Sequence, residues 1–95
     1  MAGKYEIRRA LVMALFSFYA PQELNTLLGD DRLLLLEADP ARIKREWDEL
    51  TEAGYIRPVE GFPAYRSLDH ALRLKLEAGK SLLDNPFFAG PGALR

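Results

Sequence analysis

Two short stretches of this sequence carry residue types that are used in catalysis or nucleotide binding. The single histidine, His70, follows Asp69 and lies near Ser67, and together these residue types suggest nucleophilic catalysis. Neighbouring side chains at a helix start diverge by about 100° around the axis, so we expect Asp69 to cap a helix instead. Gly79-Lys80-Ser81 is similar to the end of a phosphate-binding loop, but Leu74 occupies the position of that loop's first glycine. Neither stretch predicts an active site.

The sequence also lacks a pattern of residues that would predict a metal site or thiol chemistry. The chain has no cysteine, which removes disulfides, thiolate ligands and cysteine nucleophiles together. Asp30, Asp31, Glu37 and Asp39 form an acidic stretch that lacks the spacing and the glycine of a calcium-binding loop, and we expect them in turns and caps. Trp47 is expected to pack in the core rather than to form a ligand platform. The sequence therefore predicts a protein that is not an enzyme and that holds no metal or cofactor.

The composition is that of an ordinary folded domain. Of 95 residues, 48% are hydrophobic and 28% are charged, which matches a globular chain and excludes a disordered one. Thirteen lysines and arginines against fourteen aspartates and glutamates give a net charge of −1, so no global field attracts nucleic acid or an anionic membrane. We expect a single domain over residues 1–84, a tail with proline and glycine over 85–95, and a cytoplasmic location.

The N-terminal region has the outline of a secretory signal, because three basic residues precede an apolar run over 10–20. A signal peptidase needs small residues before the cut, whereas Phe18 lies at the third position before a cut after Ala20. No apolar run reaches the roughly 18 residues of a spanning helix, so we expect no membrane association. The same stretch is better interpreted as a helix, since core residues recur at helical spacing: Ile7, Leu11, Ala14, Leu15 and Phe18.

Helices are predicted throughout the first half of the chain. The first covers about 4–19 and ends before Pro21, because a residue that precedes proline is steered out of the helical region. A short second helix covers 21–28, and Gly29 ends it. Residues 30–39 contain four consecutive leucines and are predicted to form a helical or irregular turn.

The third predicted helix, about 40–53, has a clear start and a clear end. Asp39 is placed to cap it, and Gly54 supplies the left-handed residue that lets the chain turn away. Its apolar stripe predicts that Trp47 and Leu50 are buried against the first helix.

A two-stranded hairpin follows the third helix. The first strand covers 55–59, the turn 60–63 and the returning strand 64–68. Pro58 lacks a backbone donor, so the first strand should lie at a sheet edge or contain a bulge there.

The last predicted helix covers about 69–84 and is expected to mediate a homodimer. Its leucines fall on two adjacent lines and two phenylalanines follow it, which is more apolar surface than a peripheral helix needs against a small core. This surplus predicts a partner copy that binds through Leu72, Leu76, Leu83, Phe87 and Phe88.

Residues 43–57, IKREWDELTEAGYIR, resemble the recognition helix and first wing strand of the winged helix-turn-helix superfamily. The resemblance rests on a leucine followed by EAGYI and a basic residue, and YRSL at 65–68 resembles the second wing strand. It covers about residues 5–68. Ten residues lie between Gly29 and Pro40, where the family's turn has about three or four.

This resemblance implies a mainly α fold with a small β-hairpin (α+β), that is, a winged helix-turn-helix with a C-terminal helical extension. It also implies a non-enzymatic regulator of transcription that binds duplex DNA as a homodimer. By position in the family, the DNA contacts would come from the third helix and the wing strands: Arg42, Lys44, Arg45, Arg57 and Arg66.

The local charge leaves a second interpretation open. Residues 20–66 contain six basic and ten acidic side chains, a balance of −4, whereas phosphate contacts dominate DNA affinity. If Asp48, Glu49 and Glu52 interrupt the basic residues, the domain is instead a protein–protein interaction module without nucleic-acid binding. The hairpin tip carries no cation, and we expect its exposed aromatic residue, Phe62, to make a tertiary or partner contact.

Overall fold

Six helices and a three-stranded antiparallel sheet make up the part of the chain that the computed structural model describes, residues 2–91. The fold is mixed α+β. Among these residues, no helix has the length and apolar character needed to span a membrane. The elements in chain order are α1 (Lys4–Phe16), β1 (Gln22–Glu23), α2 (Leu24–Leu27), α3 (Asp31–Leu34), α4 (Pro40–Glu52), β2 (Ile56–Val59), β3 (Phe62–Leu68), α5 (His70–Glu77), a 3₁₀ turn (Leu82–Asp84) and α6 (Pro86–Ala89).

α1 is the central helix, and it packs against α3, α4 and α6. Four residues of its predicted apolar stripe, Ile7, Leu11, Ala14 and Leu15, are buried as expected. The helix ends at Phe16, three residues before the predicted end, so Phe18 lies outside it and is only partly buried. The last carbonyls of a helix lack partners within the helix. Arg73 donates to two of them, at 3.2 Å to Leu15 and 3.2 Å to Phe16, and to the Phe18 carbonyl just beyond the helix at 2.8 Å.

The prediction of a helix over 21–28 was wrong at its start. Gln22 and Glu23 form strand β1 and pair with Arg66 and Tyr65 of β3, so the helix begins only at Leu24. Pairing with β3 satisfies the backbone groups of β1 and overrides the local helical signal. In 30–39, the predicted helical turn is α3, whose first backbone groups are capped by Asp30.

α4 begins and ends as predicted, to within one residue. The Asp39 side chain accepts a hydrogen bond from the Ala41 backbone N–H at 2.8 Å. At the other end Gly54 has a φ of 85°, and the Tyr55 N–H donates to the Leu50 carbonyl at 3.0 Å. This is the hydrogen bond that closes a helix at a left-handed glycine. Trp47 and Leu50 are buried, and α4 packs on α1 as expected.

The sheet has the strand order β1-β3-β2, so β2 lies at an edge, as predicted from Pro58. The predicted bulge is also present. Pro58 is paired with Arg66, but the next pair joins Val59 to Phe62, which leaves residues 63–65 of β3 without partners on β2. β3 therefore starts at Phe62, two residues before the predicted start of the returning strand, because the extra residues of the bulge belong to the strand.

The prediction of one helix over 69–84 was wrong. α5 ends at Glu77, because Gly79 has a φ of 82° and the Lys80 N–H closes the helix on the Lys75 carbonyl at 3.0 Å. The chain then forms the 3₁₀ turn and reaches α6, whose N-cap is Asn85.

α6 belongs to the core, although its proline and glycine content predicted a tail over 85–95. Phe88 is fully buried, and its ring lies 4.9 Å from the Tyr55 ring. Arg8 and Arg9 of α1 donate to the carbonyls of Phe87 and Phe88 at 3.0 and 2.6 Å. These contacts fix the C-terminal segment to α1. The remainder of the predicted tail, residues 92–95, lies outside the described residues.

Candidate functional site

The exposed face of α4, expected to contact DNA, carries charges of both signs. Lys44 Nζ lies 2.6 Å from a carboxylate oxygen of Asp48, so this cation is already paired. Arg45 and Glu49 have the same four-residue spacing, but within residues 2–91 they do not form an ion pair. The exposed positions run from basic at the start of the helix to acidic at its end: Ala41, Lys44, Arg45, Asp48, Glu49 and Glu52.

Two further arginines assigned to DNA are held by other groups of the chain. Arg42 is partly buried and donates to the Ala2 carbonyl at 2.7 Å. Arg57 Nε lies 2.8 Å from the Asp69 carboxylate. Hydrogen bonding to Arg57 holds the pKa of Asp69 below its usual value, although partial burial opposes this shift. Asp69 also accepts from the Leu72 N–H at 3.1 Å, which confirms its predicted capping role.

Arg66 fastens the bulge of β3 to α4. Its Nη1 donates to the carbonyls of Pro63 and Tyr65 at 2.6 and 3.0 Å, and its Nε donates to the Thr51 hydroxyl at 3.1 Å. The guanidinium also lies 5.8 Å from the centre of the Trp47 ring. These contacts turn Arg66 toward the helices and give it a structural role.

Most arginines of the chain, like Arg66, bind other groups of the same chain. Within residues 2–91, seven of the eight donate a hydrogen bond to another group of the chain, and Arg45 is the exception. One of these contacts is a buried ion pair, Arg8 to Glu46 at 2.8 Å. The five cations assigned to DNA therefore do not form one unpaired basic surface. The seven arginines are Arg8, Arg9, Arg32, Arg42, Arg57, Arg66 and Arg73.

A groove of about 610 Å³ lies between α2, α4 and β3. Its charged lining residues are two cations, Lys44 and Arg66, and two anions, Glu23 and Asp48. Because these charges offset each other, the groove has no net attraction for an anion such as a phosphate.

A different surface is apolar. Pro21, Val59, Phe62 and Tyr65 line a shallow groove of about 340 Å³, which we call the hairpin patch. Phe62 is 60% exposed, and its ring meets the Tyr65 ring edge to face at 6.0 Å. Arg66 and Tyr65 are adjacent in a strand and so point to opposite faces, which places the patch on the side of the sheet away from α4.

Two acidic residues are neighbours of residues that line the hairpin patch. Glu23 is paired with Tyr65 across β1 and β3, and Glu60 follows Val59 at the hairpin turn. Hydrogen bonding to the Glu23 carboxylate and its negative charge raise the pKa of Tyr65 above the usual value for tyrosine. Arg57, on the same strand as Val59, is bound to Asp69. The patch thus combines two aromatic rings, Phe62 and Tyr65, with two neighbouring acidic residues, Glu23 and Glu60.

The residues predicted to form a dimer interface do not share one exposed face. Leu72 and Phe88 are buried within this chain, and Leu76 and Phe87 are partly buried. Phe87 packs under the Arg8 guanidinium, which lies 4.0 Å from its ring centre. Of the five residues, only Leu83 is exposed.

His70 is exposed and Asp69 is occupied by Arg57 and the Leu72 N–H, so these two residues are not assembled with Ser67 into a catalytic group. Within residues 2–91, no cluster of three or more histidine or acidic side chains is arranged to hold a metal ion.

Sequence reasoning singled out Phe62 but did not find its neighbours in the hairpin patch. Pro21 joins them only because β1 pairs with β3, and Tyr65 only because of the bulge. A comparison with protein-family models, curated proteins and solved structures finds no match for this chain.

Proposed function

We propose that this chain is a protein–protein interaction module of the winged-helix type that binds its partner through the hairpin patch. The order of the helices and strands and the β1-β3-β2 sheet support the winged-helix assignment. The module acts without chemistry, by presenting a rigid apolar surface.

The observation that carries this proposal is the exposure of the hairpin patch. Phe62 remains 60% exposed although it lies beside three other apolar residues. A contiguous apolar patch rimmed by polar groups marks an interaction site more often than scattered single residues do. Aromatic side chains are also enriched among the residues that dominate binding energy at protein interfaces.

Selection from a random peptide library against the full chain tests this proposal. We expect peptides whose binding is lost in Phe62→Ser and retained in Leu74→Ser, a matched change at an exposed leucine on α5. Both variants should unfold like the wild type, because both side chains are exposed. The absence of any peptide that depends on Phe62 would count against the proposed function.

Duplex DNA is the second candidate, and one observation favours it. Arg45 is exposed in the N-terminal half of α4 and, among residues 2–91, has no hydrogen-bond or ion-pair partner. In the winged-helix family this half of the helix reaches the bases. With few cations free, each protomer would neutralise about two to four phosphates, and a homodimer would be needed to double that number.

A titration with a pool of random-sequence duplexes across salt concentrations tests this candidate. Binding through Arg45 predicts a shallow dependence of log affinity on log salt. Arg45→Ala would then cost about 1–3 kcal/mol on a specific site if the guanidinium contacts a base. No binding at about 50 mM salt would exclude the DNA candidate and leave the interaction module, since salt of this order favours phosphate contacts.

A further inference from the structure

We infer that the hairpin patch binds an extended, basic, proline-containing segment of a partner protein. This inference rests on the proposed function and names the chemistry of its partner. The proline ring would pack on Phe62 and Tyr65, and an arginine or lysine of the same segment would lie against Glu23 or Glu60.

The size and lining of the patch favour a short extended segment. Its volume of about 340 Å³ is at the low end of the range for ligand pockets, about 300–1,000 Å³. Two aromatic rings inclined at 81° and the Pro21 ring line it together with Val59. Grooves lined with aromatic side chains recognise proline-rich segments, whose preformed extended helix loses little entropy on binding.

Strand addition is a poorer alternative at this sheet. β2 is an edge strand, but Pro58 lacks the N–H that a continuing ladder would need. The other edge, β1, is two residues long. A partner segment must therefore be recognised through its side chains. A polyproline helix suits this mode, because its backbone does not need to form hydrogen bonds with a neighbouring strand.

The acidic residues beside the patch determine which charge the partner segment should carry. Glu23 is paired with the lining residue Tyr65, Glu60 directly follows the lining residue Val59, and the four residues that line the patch contribute no positive charge. Hydrogen bonding to the Glu23 carboxylate and its negative charge raise the pKa of the Tyr65 hydroxyl, so this carboxylate lies near the aromatic rings and can accept from a guanidinium. A basic segment complements these acidic residues, whereas an acidic one is repelled.

The same charges argue against a second copy of this chain as the occupant. A twofold contact through the patch places the same surface on both subunits, so both sides of the interface would carry Glu23 and Glu60 and neither side would supply a compensating cation from the patch. Like charges brought together at an interface disfavour association.

Fluorescence anisotropy of labelled peptides against the full chain provides the test. The probe is an eight-residue peptide of alternating arginine and proline, and the comparison peptide has glutamate in place of arginine. We expect binding of the arginine peptide alone, weakened by added salt. Phe62→Ala should weaken it at least fivefold, since truncation of an anchor residue costs more than about 1 kcal/mol.

Charge variants provide a second measurement that does not perturb the apolar surface. Glu60→Gln should weaken the arginine peptide about two- to fivefold, which is the range for an exposed ion pair of about 0.4–1 kcal/mol. Glu52→Gln, an exposed change on α4, should leave its affinity unchanged.

The outcomes separate this inference from the proposed function. Equal binding of the two peptides, or binding of the arginine peptide that ignores Phe62 and Glu60, would overturn the inference. If library selection yields peptides that depend on Phe62 but lack basic residues, the inference fails and the proposed function stands. If sedimentation shows a dimer that Phe62→Ala dissociates, the occupant is a second copy and the inference is overturned.

Discussion

Replacement of Phe88 by alanine tests whether α6 is part of the hydrophobic core. The side chain is fully buried, and its ring lies 4.9 Å from Tyr55 and 5.5 Å from Phe87. The substitution removes an entire ring from a site between α1 and the rings of Tyr55 and Phe87. A tail that only rests on the surface would lose little from the same change.

The expected loss can be bounded from these contacts. Truncation of a buried phenylalanine to alanine costs about 3–5 kcal/mol, and aromatic pairs add to the cost of the lost area. We therefore expect a decrease of about 4 kcal/mol in the free energy of unfolding. A chain of 95 residues has a total stability of roughly 5–14 kcal/mol, so this single change removes a large share of it.

Urea denaturation followed by Trp47 fluorescence is the appropriate assay, because Trp47 is the only tryptophan and is buried in the core. With an m-value of about 1.5 kcal/mol/M, the midpoint should fall by roughly 2.5–3 M. Phe62→Ala is the matched control, and its exposed ring should cost less than about 1 kcal/mol. A loss below about 1 kcal/mol for Phe88→Ala would refute the assignment of α6 to the core.

Three further predictions concern stability. Glu46→Ala should cost about 3–5 kcal/mol in urea denaturation, because it leaves the Arg8 guanidinium buried without its carboxylate, and a cost below about 1 kcal/mol would contradict this reasoning. Gly54→Ala should lower the free energy of unfolding by about 1–2 kcal/mol, since alanine is strained at a φ of 85°, whereas Gly29→Ala should be nearly neutral. Asp69→Asn should destabilise the chain at pH 7. Folding lowers the pKa of Asp69, so the stabilisation by its carboxylate is complete above about pH 4 and is lost as the pH falls through the lowered value. If the difference in stability between wild type and variant persists undiminished at about pH 2, this prediction is wrong.

The helix ends show how much local sequence can reveal. Glu52-Ala53-Gly54 ends α4, and the identical tripeptide Glu77-Ala78-Gly79 ends α5. The first was predicted from its glycine and the second was missed, because the leucine periodicity continues past Gly79. In both cases the glycine adopts a positive φ and the helix closes with the same hydrogen bonds. The sequence thus contained this signal, and periodicity alone was the weaker guide.

Other features depend on contacts between distant parts of the chain. β1 is too short to have a pattern of its own and exists because β3 pairs with it. Nothing in the order of residues 62–66 marks a three-residue shift in register, yet this shift brings Tyr65 beside Phe62. The arginines assigned to DNA are likewise indistinguishable in sequence from arginines that bind carbonyls. The strand pairing and the arginine contacts both join residues that are far apart in the chain, and local periodicity does not reveal such contacts.

The junction of α1 and α6 determines how the molecule would respond to mechanical force. Gly90 lies so close to the Tyr5 ring that a β-carbon at this position would be 3.2 Å from it, and Arg8 bonds a carbonyl 79 positions away. The chain has no cysteine, so handles attached through Gly3→Cys and Pro91→Cys would be unique. Tension between these points passes directly across the α1–α6 contact and bypasses the sheet. α6 would peel away first, and the hairpin patch would keep its shape while the C-terminal segment is detached.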